Sequence, residues 1–208
     1  GACLMAEPKL VADCVKAMKD AVDIPVSVKH RLGLDSMDAS TSKVDYQFAL
    51  DFILSVADAG ASQVTIHARN AVLKGLSPKE NRSKPPLRYE VAAQLRLDAQ
   101  KHFPHLKVLL NGGLESNEQI AGHWNDFDGF MVGRAAYHFP AMLLGWDDLI
   151  RTNGDAAGYL FSETEWHRIQ IALVKQVQAW FDECRDKGKP FYIGAFTRHI
   201  LGLAHGRA

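Results

Sequence analysis

The chain has 208 residues, 24 Lys+Arg against 24 Asp+Glu, and a hydrophobic share of 47%. That make-up belongs to a globular chain and excludes a disordered tail, a collagen-like repeat and a supercharged nucleic-acid binder. Three scattered cysteines, Cys3, Cys14 and Cys184, exclude a disulfide framework or zinc site and suit a reducing, cytoplasmic setting. No apolar run approaches the ~18–20 residues of a membrane span, and the first residues do not read as a signal peptide.

In chain order, Pro8 suits a first helical turn. Leu10, Val11, Cys14, Val15 and Met18 then predict a helix over 7–22, with Cys14 as a packing residue. A strand-length run over 24–31 carries Lys29 and Arg31 at its end. A helix over 45–59 places Phe48, Ala49, Phe52, Ile53 and Val56 on one side and stops at Gly60. The second strand, 62–69, ends on His67 and Arg69. Residues 69–88 read as a loop with six cations, Arg69, Lys74, Lys79, Arg82, Lys84 and Arg88, against Glu80 alone, a local net charge of +5. A helix over 87–102 leads to a strand over 106–113 that runs into Asn111, Gly112 and Gly113. Ser116-Asn-Glu-Gln119 reads as a capping box opening a helix over 116–124. The fourth strand, 128–134, runs into Gly133 and Arg134. Residues 135–151 are helical with a break at Phe139-Pro140, and 153–158 form a linker. A long amphipathic helix over 162–187 opens on Ser162 and Glu165 and holds Cys184 as a packing residue. A last helix, 191–204, carries Arg198 and His199.

Strands alternating with helices imply a parallel sheet, and nearly unbroken apolar strands imply that both its faces are covered. All four strands end on glycine or functional side chains, at the edge where parallel sheets gather their chemistry. Glycines at a strand end let backbone N–H groups approach a phosphate. Two such ends in consecutive units match the phosphate site of a (β/α)8 barrel. Lys29 suits stabilisation of developing negative charge, and a one-signed basic loop at the same edge suits a polyanion. Each feature also has an ordinary reading. Asn-Gly-Gly can be a tight turn, Lys29 a surface lysine, His67 a structural histidine and the 69–88 stretch a solvated charge cluster. The residues offer no cysteine nucleophile, metal-ligand cluster, Walker loop or GxSxG elbow.

Several stretches together resemble the tRNA-dihydrouridine synthases, specifically the bacterial A-type that modifies positions 20 and 20a of the tRNA D-loop. They are Gly1-Ala-Cys-Leu-Met5, Val26-Ser-Val-Lys-His-Arg-Leu-Gly33, Ile66-His-Ala-Arg69 and Lys74-Gly-Leu-Ser-Pro-Lys-Glu-Asn-Arg82 with Pro85-Pro-Leu87. Asn111-Gly-Gly113, Gly129-Phe-Met-Val-Gly-Arg134 and Thr197-Arg-His-Ile-Leu-Gly202 complete the set. The resemblance implies an α/β fold: the C-terminal half of a (β/α)8 TIM barrel (its last four strands) over 1–151, binding FMN, then part of an all-helical tRNA-binding domain over 159–208. It implies reduction of uridine to 5,6-dihydrouridine with NADPH as reductant. Lys29, His67, Asn111, Gly112, Gly113, Gly133 and Arg134 match cofactor-binding positions, and Lys79, Arg82 and Arg198 lie in segments used against tRNA. No metal and no membrane enter the picture.

The family's catalytic cysteine lies on an Asn-x-Gly-Cys-Pro motif upstream of the stretch that opens this chain. The chain is therefore expected to be the back part of a longer enzyme, with no catalytic residue of its own and no turnover alone. Cys3 is not that residue. A half-barrel is also expected to be poorly soluble or to dimerise. The parent is expected to be a monomer. Two other readings stay open: an FMN-dependent barrel oxidoreductase of a small molecule, and a non-catalytic RNA-binding fragment.

Overall fold

The computed structural model describes residues 1–35, 46–155, 162–200 and 202–203. It divides into two compact units, residues 1–114 with 123–132, and residues 115–122 with 133–208.

The first unit is built on a parallel sheet. A 3-10 turn, Ala2–Ala6, precedes α1 (Pro8–Ala21), which starts with proline at a position whose N–H would be unpaired anyway. The strands are β1 (Ser27–Arg31), β3 (Gln63–His67), β5 (Lys107–Asn111) and β6 (Gly129–Met131). Their order is β1-β3-β5-β6, every neighbouring pair parallel. A second pair, β2 (Leu34–Asp35) with β4 (Ala71–Val72), is also parallel and follows the first two main strands. Helices α2 (Tyr46–Asp58) and α3 (Tyr89–His102) connect the sheet strands.

Alternation along the strands sorts residues between two faces. His30, Val64, Ile66, Val108 and Leu110 are buried, as are Phe52, Ile53 and Val56 of α2 and Leu95 of α3. The imidazole of His30 packs on Phe52 with ring centroids 5.2 Å apart, which puts its strand position on the helix side. Lys29, Arg31, His67 and Asn111 take the opposite face. Helix α2 ends as the glycine predicts: Gly60 has φ +102°, Ala61 N–H donates to the Val56 carbonyl at 3.0 Å and Gly60 N–H to Ala57 at 2.9 Å. The start of β6 is fastened by Asp128, whose carboxylate accepts from Val108 N–H at 2.8 Å, Gln100 Nε2 at 2.9 Å and Arg96 Nε at 3.2 Å.

In the second unit, α4 (Asn117–Gly122) precedes α5 (Arg134–His138), a 3-10 turn (Pro140–Gly145) and α6 (Trp146–Arg151). The break falls at Phe139-Pro140, where proline cannot donate to the preceding turn. Helix α7 (Glu163–Asp186) carries the full capping box: Glu165 N–H donates to Ser162 Oγ at 3.2 Å and Ser162 N–H to Glu165 Oε2 at 3.0 Å. The Phe191 ring meets Trp180 and Phe181 of α7 at 5.0 and 5.3 Å.

Several expected elements change. The 191–204 helix is only α8 (Ile193–Thr197), followed by turns, and residue 201 and residues 204–208 lie outside the described residues. The 116–124 helix stops at Gly122. Its capping is offset: Gln119 N–H donates to Ser116 Oγ at 3.3 Å, but Gln119 Oε1 accepts from Glu115 N–H at 2.7 Å. The outer strands are shorter than 24–31 and 128–134, because Ile24 is exposed ahead of Pro25 and the chain turns before Gly133. Part of the 153–158 linker also falls outside the described residues.

Helix α1 buries Val15 and leaves Leu10, Cys14 and Met18 exposed, so Cys14 is no packing residue; Cys184 is one. Alkylation of the folded chain is therefore expected to label Cys3 and Cys14 quickly and Cys184 only after denaturation. Peptide mass spectrometry showing Cys184 labelled as fast as the other two would contradict its burial.

Candidate functional site

Register gathers the sequence-predicted residues into rows. Arg31 lies opposite His67, His67 opposite Asn111, and Asn111 opposite Met131. One pleat earlier, Lys29 lies opposite Thr65. Lys29, Arg31, His67 and Asn111 thus share one face at the C-terminal edge of the sheet. Partial burial lowers the Lys29 pKa, and the neighbouring Arg31 charge lowers it further. Arg31 is likewise pushed down, by burial first and then by the charges of Arg69 and Arg82. An anion bound here would relieve both the burial cost and the mutual repulsion.

The Asn111-Gly112-Gly113 turn is shaped by close packing. Asn111 Nδ2 donates to the Met131 carbonyl at 2.6 Å, and the Asn111 carbonyl accepts from Ala68 N–H at 2.9 Å. Gly112 and Gly113 have φ of +104° and +68°. A Cβ on Gly112 would lie 2.6 Å from Cδ2 of His67, and one on Gly113 would lie 2.6 Å from Cδ1 of Leu87. Tyr89 Oη donates to the Gly112 carbonyl at 2.5 Å, while its ring meets that of His123 edge-on at 4.9 Å. The buried His67 ring therefore seats on bare glycine backbone, and the turn is held from both sides.

The basic stretch is a folded element. It contains β4 and a 3-10 turn, Glu80–Arg82, with Lys79 at the turn's N-cap. Its charge is unevenly displayed. Arg69 is buried and donates through Nη1 to the Pro85 carbonyl. Lys84 pairs with Glu80 at 2.7 Å. Lys74, Lys79 and Arg82 are exposed. The +5 read from the sequence is thus carried to the surface mainly by three side chains. Arg31 Nη1 donates to the carbonyls of Asn70 at 3.1 Å and Asn81 at 2.7 Å, tying this stretch to β1.

Between β1 and this stretch lies a cavity of about 780 Å3. Lys29, Arg31, Asn81 and Arg82 form polar parts of its wall, and Met5, Val11, Phe52 and Leu76 apolar parts. Its size is within the range of small-molecule sites. Cys3 also lines it and is exposed.

Gly133 and Arg134 belong to the second unit, as the N-cap and first residue of α5. Arg198 is exposed there, at the C-cap of α8. Among the described residues there is no group of His, Cys, Asp and Glu placed to hold a metal, and no helix long and apolar enough to cross a membrane.

Two participants escape a sequence reading. Tyr89 reads as the start of a helix, and nothing in the spacing links its hydroxyl to a glycine 23 residues later. Asn81 reads as loop, yet its side chain and carbonyl organise the basic stretch. Arg31 was open to recognition, since it lies two residues from Lys29 on a strand and so on the same face.

These features define an α/β protein with a cation-rich strand-end site beside an ordered basic loop. Residues 1–187 match the family model described as dihydrouridine synthase (Dus), and the chain belongs to that family. It is 56% identical over 206 residues to the tRNA-dihydrouridine(20/20a) synthase of Pseudomonas syringae pv. tomato, covering 99% of this chain and 55% of that protein. Identity to the enzyme of the same name from Pseudomonas putida is 45% over 206 residues, again 99% and 55% of the two chains. The Escherichia coli K12 enzyme is 42% identical over 207 residues, covering 99% and 54%. The chain spans about half the length of the curated relatives it matches.

Proposed function

We propose that the chain carries cofactor- and RNA-contacting parts of a tRNA-dihydrouridine synthase, reducing uridine to 5,6-dihydrouridine at positions 20 and 20a of the D-loop. The observation that carries this reading is one strand-end face: Lys29, Arg31, His67 and Asn111 in register, beside a loop presenting Lys74, Lys79 and Arg82. The sheet supports the finer assignment to the last four strands of a (β/α)8 barrel. Its strand order follows the chain without reversal, as in a singly wound barrel and unlike a doubly wound open sheet.

The residues fit FMN. Gly112 and Gly113 are glycines because His67 and Leu87 fill the space a side chain would take; a glycine turn at a strand end is the kind of backbone whose N–H groups suit a phosphate. Asn111, Gly112 and Gly113 would hold that phosphate, and His67 would hold the cofactor; Gly133 and Arg134, in the second unit, are proposed as cofactor-binding on the family resemblance alone. When bound, FMN would supply hydride-transfer chemistry for the uracil ring, with NADPH as its reductant. Lys29 would keep positive charge near the electron-rich ring system, held there by the β1 pleat. No residue of this chain is assigned as the proton donor to C5.

The uridine must leave its stack to be reduced. Lys79 and Arg82, with Arg198 from the helical part, would grip the backbone of the folded RNA. The test is tRNA binding by the chain across a salt series. The double variant Lys79→Ala/Arg82→Ala is expected to weaken binding by ~10–100-fold near 0.1 M salt and to flatten the log–log salt dependence by about two. Equal affinity before and after would remove tRNA from the assignment. FMN titration against Lys29→Ala, followed by flavin fluorescence, tests the cofactor half separately.

A further inference from the structure

Asn81 sits between the two loop cations, one residue before Arg82 and two after Lys79. Its carboxamide closes onto the outer edge of β4. Oδ1 accepts from Val72 N–H at 2.8 Å, and Nδ2 donates to the Val72 carbonyl at 2.8 Å and the Leu76 carbonyl at 3.4 Å. The neighbouring residues Ala71 and Leu73 donate to Gly33 and Asp35 at 2.8 Å each, along the edge that faces β2. The side chain thus stands in for the next strand of the small sheet. A carboxamide suits this place because it offers one donor and one acceptor in a plane, as a peptide group does.

The backbone of Asn81 is engaged as well. Its N–H donates to the Ser77 carbonyl at 2.9 Å, and its carbonyl accepts from Arg31 Nη1 at 2.7 Å. One residue therefore joins β4, the 73–80 loop and β1.

We propose that Asn81 is the positioning residue of the RNA-contacting loop: it holds Lys79 and Arg82 in their binding arrangement before RNA arrives. This rests on the reading of that loop as a tRNA-contacting element. The physical gain is preorganisation. A loop that is already ordered loses less side-chain and backbone freedom on binding, so more of the phosphate attraction remains as affinity. Asn81 itself adds no charge, which separates its role from that of its neighbours.

The experiment compares the 208-residue chain with Asn81→Ala, Asn81→Asp and Lys79→Ala. Circular dichroism first establishes that each variant is folded. Asn81→Asp keeps the acceptor for Val72 N–H, so it remains informative if the alanine variant does not fold. Without RNA, trypsin cleavage after Lys79 and Arg82, read by mass spectrometry, is expected to be about tenfold faster in both Asn81 variants than in the parent, as local opening is freed. Binding to tRNA by Asn81→Ala is expected to weaken by about tenfold with the salt slope unchanged, whereas Lys79→Ala flattens that slope by about one.

Unchanged trypsin rates in the Asn81 variants would overturn the brace. Faster cleavage with undiminished tRNA affinity would overturn its role in recognition. A flatter salt slope in Asn81→Ala would make Asn81 itself part of the phosphate contact, against the proposal. Absence of tRNA binding by the parent chain would remove the functional reading and the recognition role together, while the trypsin rates would still decide whether Asn81 holds the loop.

Discussion

Replacing Gly112 with alanine is expected to destabilise the chain by about 2–4 kcal/mol and to lower FMN affinity by at least ~10-fold. Two effects add. The backbone there has φ +104°, where an L side chain is strained. The new Cβ would also lie 2.6 and 2.8 Å from Cδ2 and Nε2 of His67, a buried ring that cannot swing into solvent. The ring must move or the turn must open, and either displaces the N–H groups assigned to the phosphate. Gly75→Ala is the matched control. Its φ is +85°, but its Cβ would meet nothing within 4 Å among the described residues, which leaves the backbone cost of roughly 1–2 kcal/mol. Thermal melts and flavin titration of the two variants check the argument. An equal loss of Tm in both, with flavin affinity retained in Gly112→Ala, would show that the His67 contact matters to neither property.

The contrast between these glycines shows what the sequence made legible. Gly60, Gly75 and Gly112 look alike in one dimension, each a glycine at a turn or loop position. Strand and helix patterns settled the fold class because burial enforces periodicity: β3 and β5 are apolar where helices cover them, and α7 announces its start with Ser162 and Glu165. The strand-end residues Lys29, His67 and Asn111 were equally legible, since pairing four parallel strands brings their C-terminal ends to one edge. What stayed hidden depends on contacts between distant residues. The hydroxyl of Tyr89 on the Gly112 carbonyl and the carboxamide of Asn81 on Val72 have no periodic signature. Charge counting gives the net charge of the basic stretch but not its display, for the same reason: Arg69 is buried against the Pro85 carbonyl. The apolar residues of α1 predicted a helix but not which of them would be covered, since amphipathicity gives a helix a face and not a partner.

Lowering the pH from about 6.5 to 4 is expected to cost the chain about 3 kcal/mol through His30 alone. His30 lies on the helix side of β1 against Phe52, 5% exposed, with its Nδ1–H assigned to the Arg31 carbonyl at 2.7 Å and no hydrogen-bond partner for Nε2 among the described residues. Burial is the main reason that its pKa falls to about 4. The Arg31 carbonyl opposes that fall, and the Lys29 charge adds to it. Above the unfolded-state pKa of about 6.5 both states are neutral at this ring and nothing is lost. As pH drops below it the unfolded chain takes up a proton that the folded chain refuses, so stability declines until the folded ring titrates near 4. The carboxylates with lowered pKa, Glu80, Asp98, Glu118, Asp128 and Glu183, begin to withdraw their contribution as the pH falls towards about 5 and continue below their unfolded values, so histidine governs the upper part of this window and the comparison with a His30 variant isolates its share of the rest. His30→Leu removes the orphaned nitrogen and the proton uptake together. Its urea-unfolding free energy is expected to be flatter than the parent's between pH 6.5 and 4, with the difference between the two proteins growing by about 3 kcal/mol across the window. Parallel profiles would mean that the folded ring takes up its proton as readily as the unfolded one and that His30 is not sealed between β1 and α2.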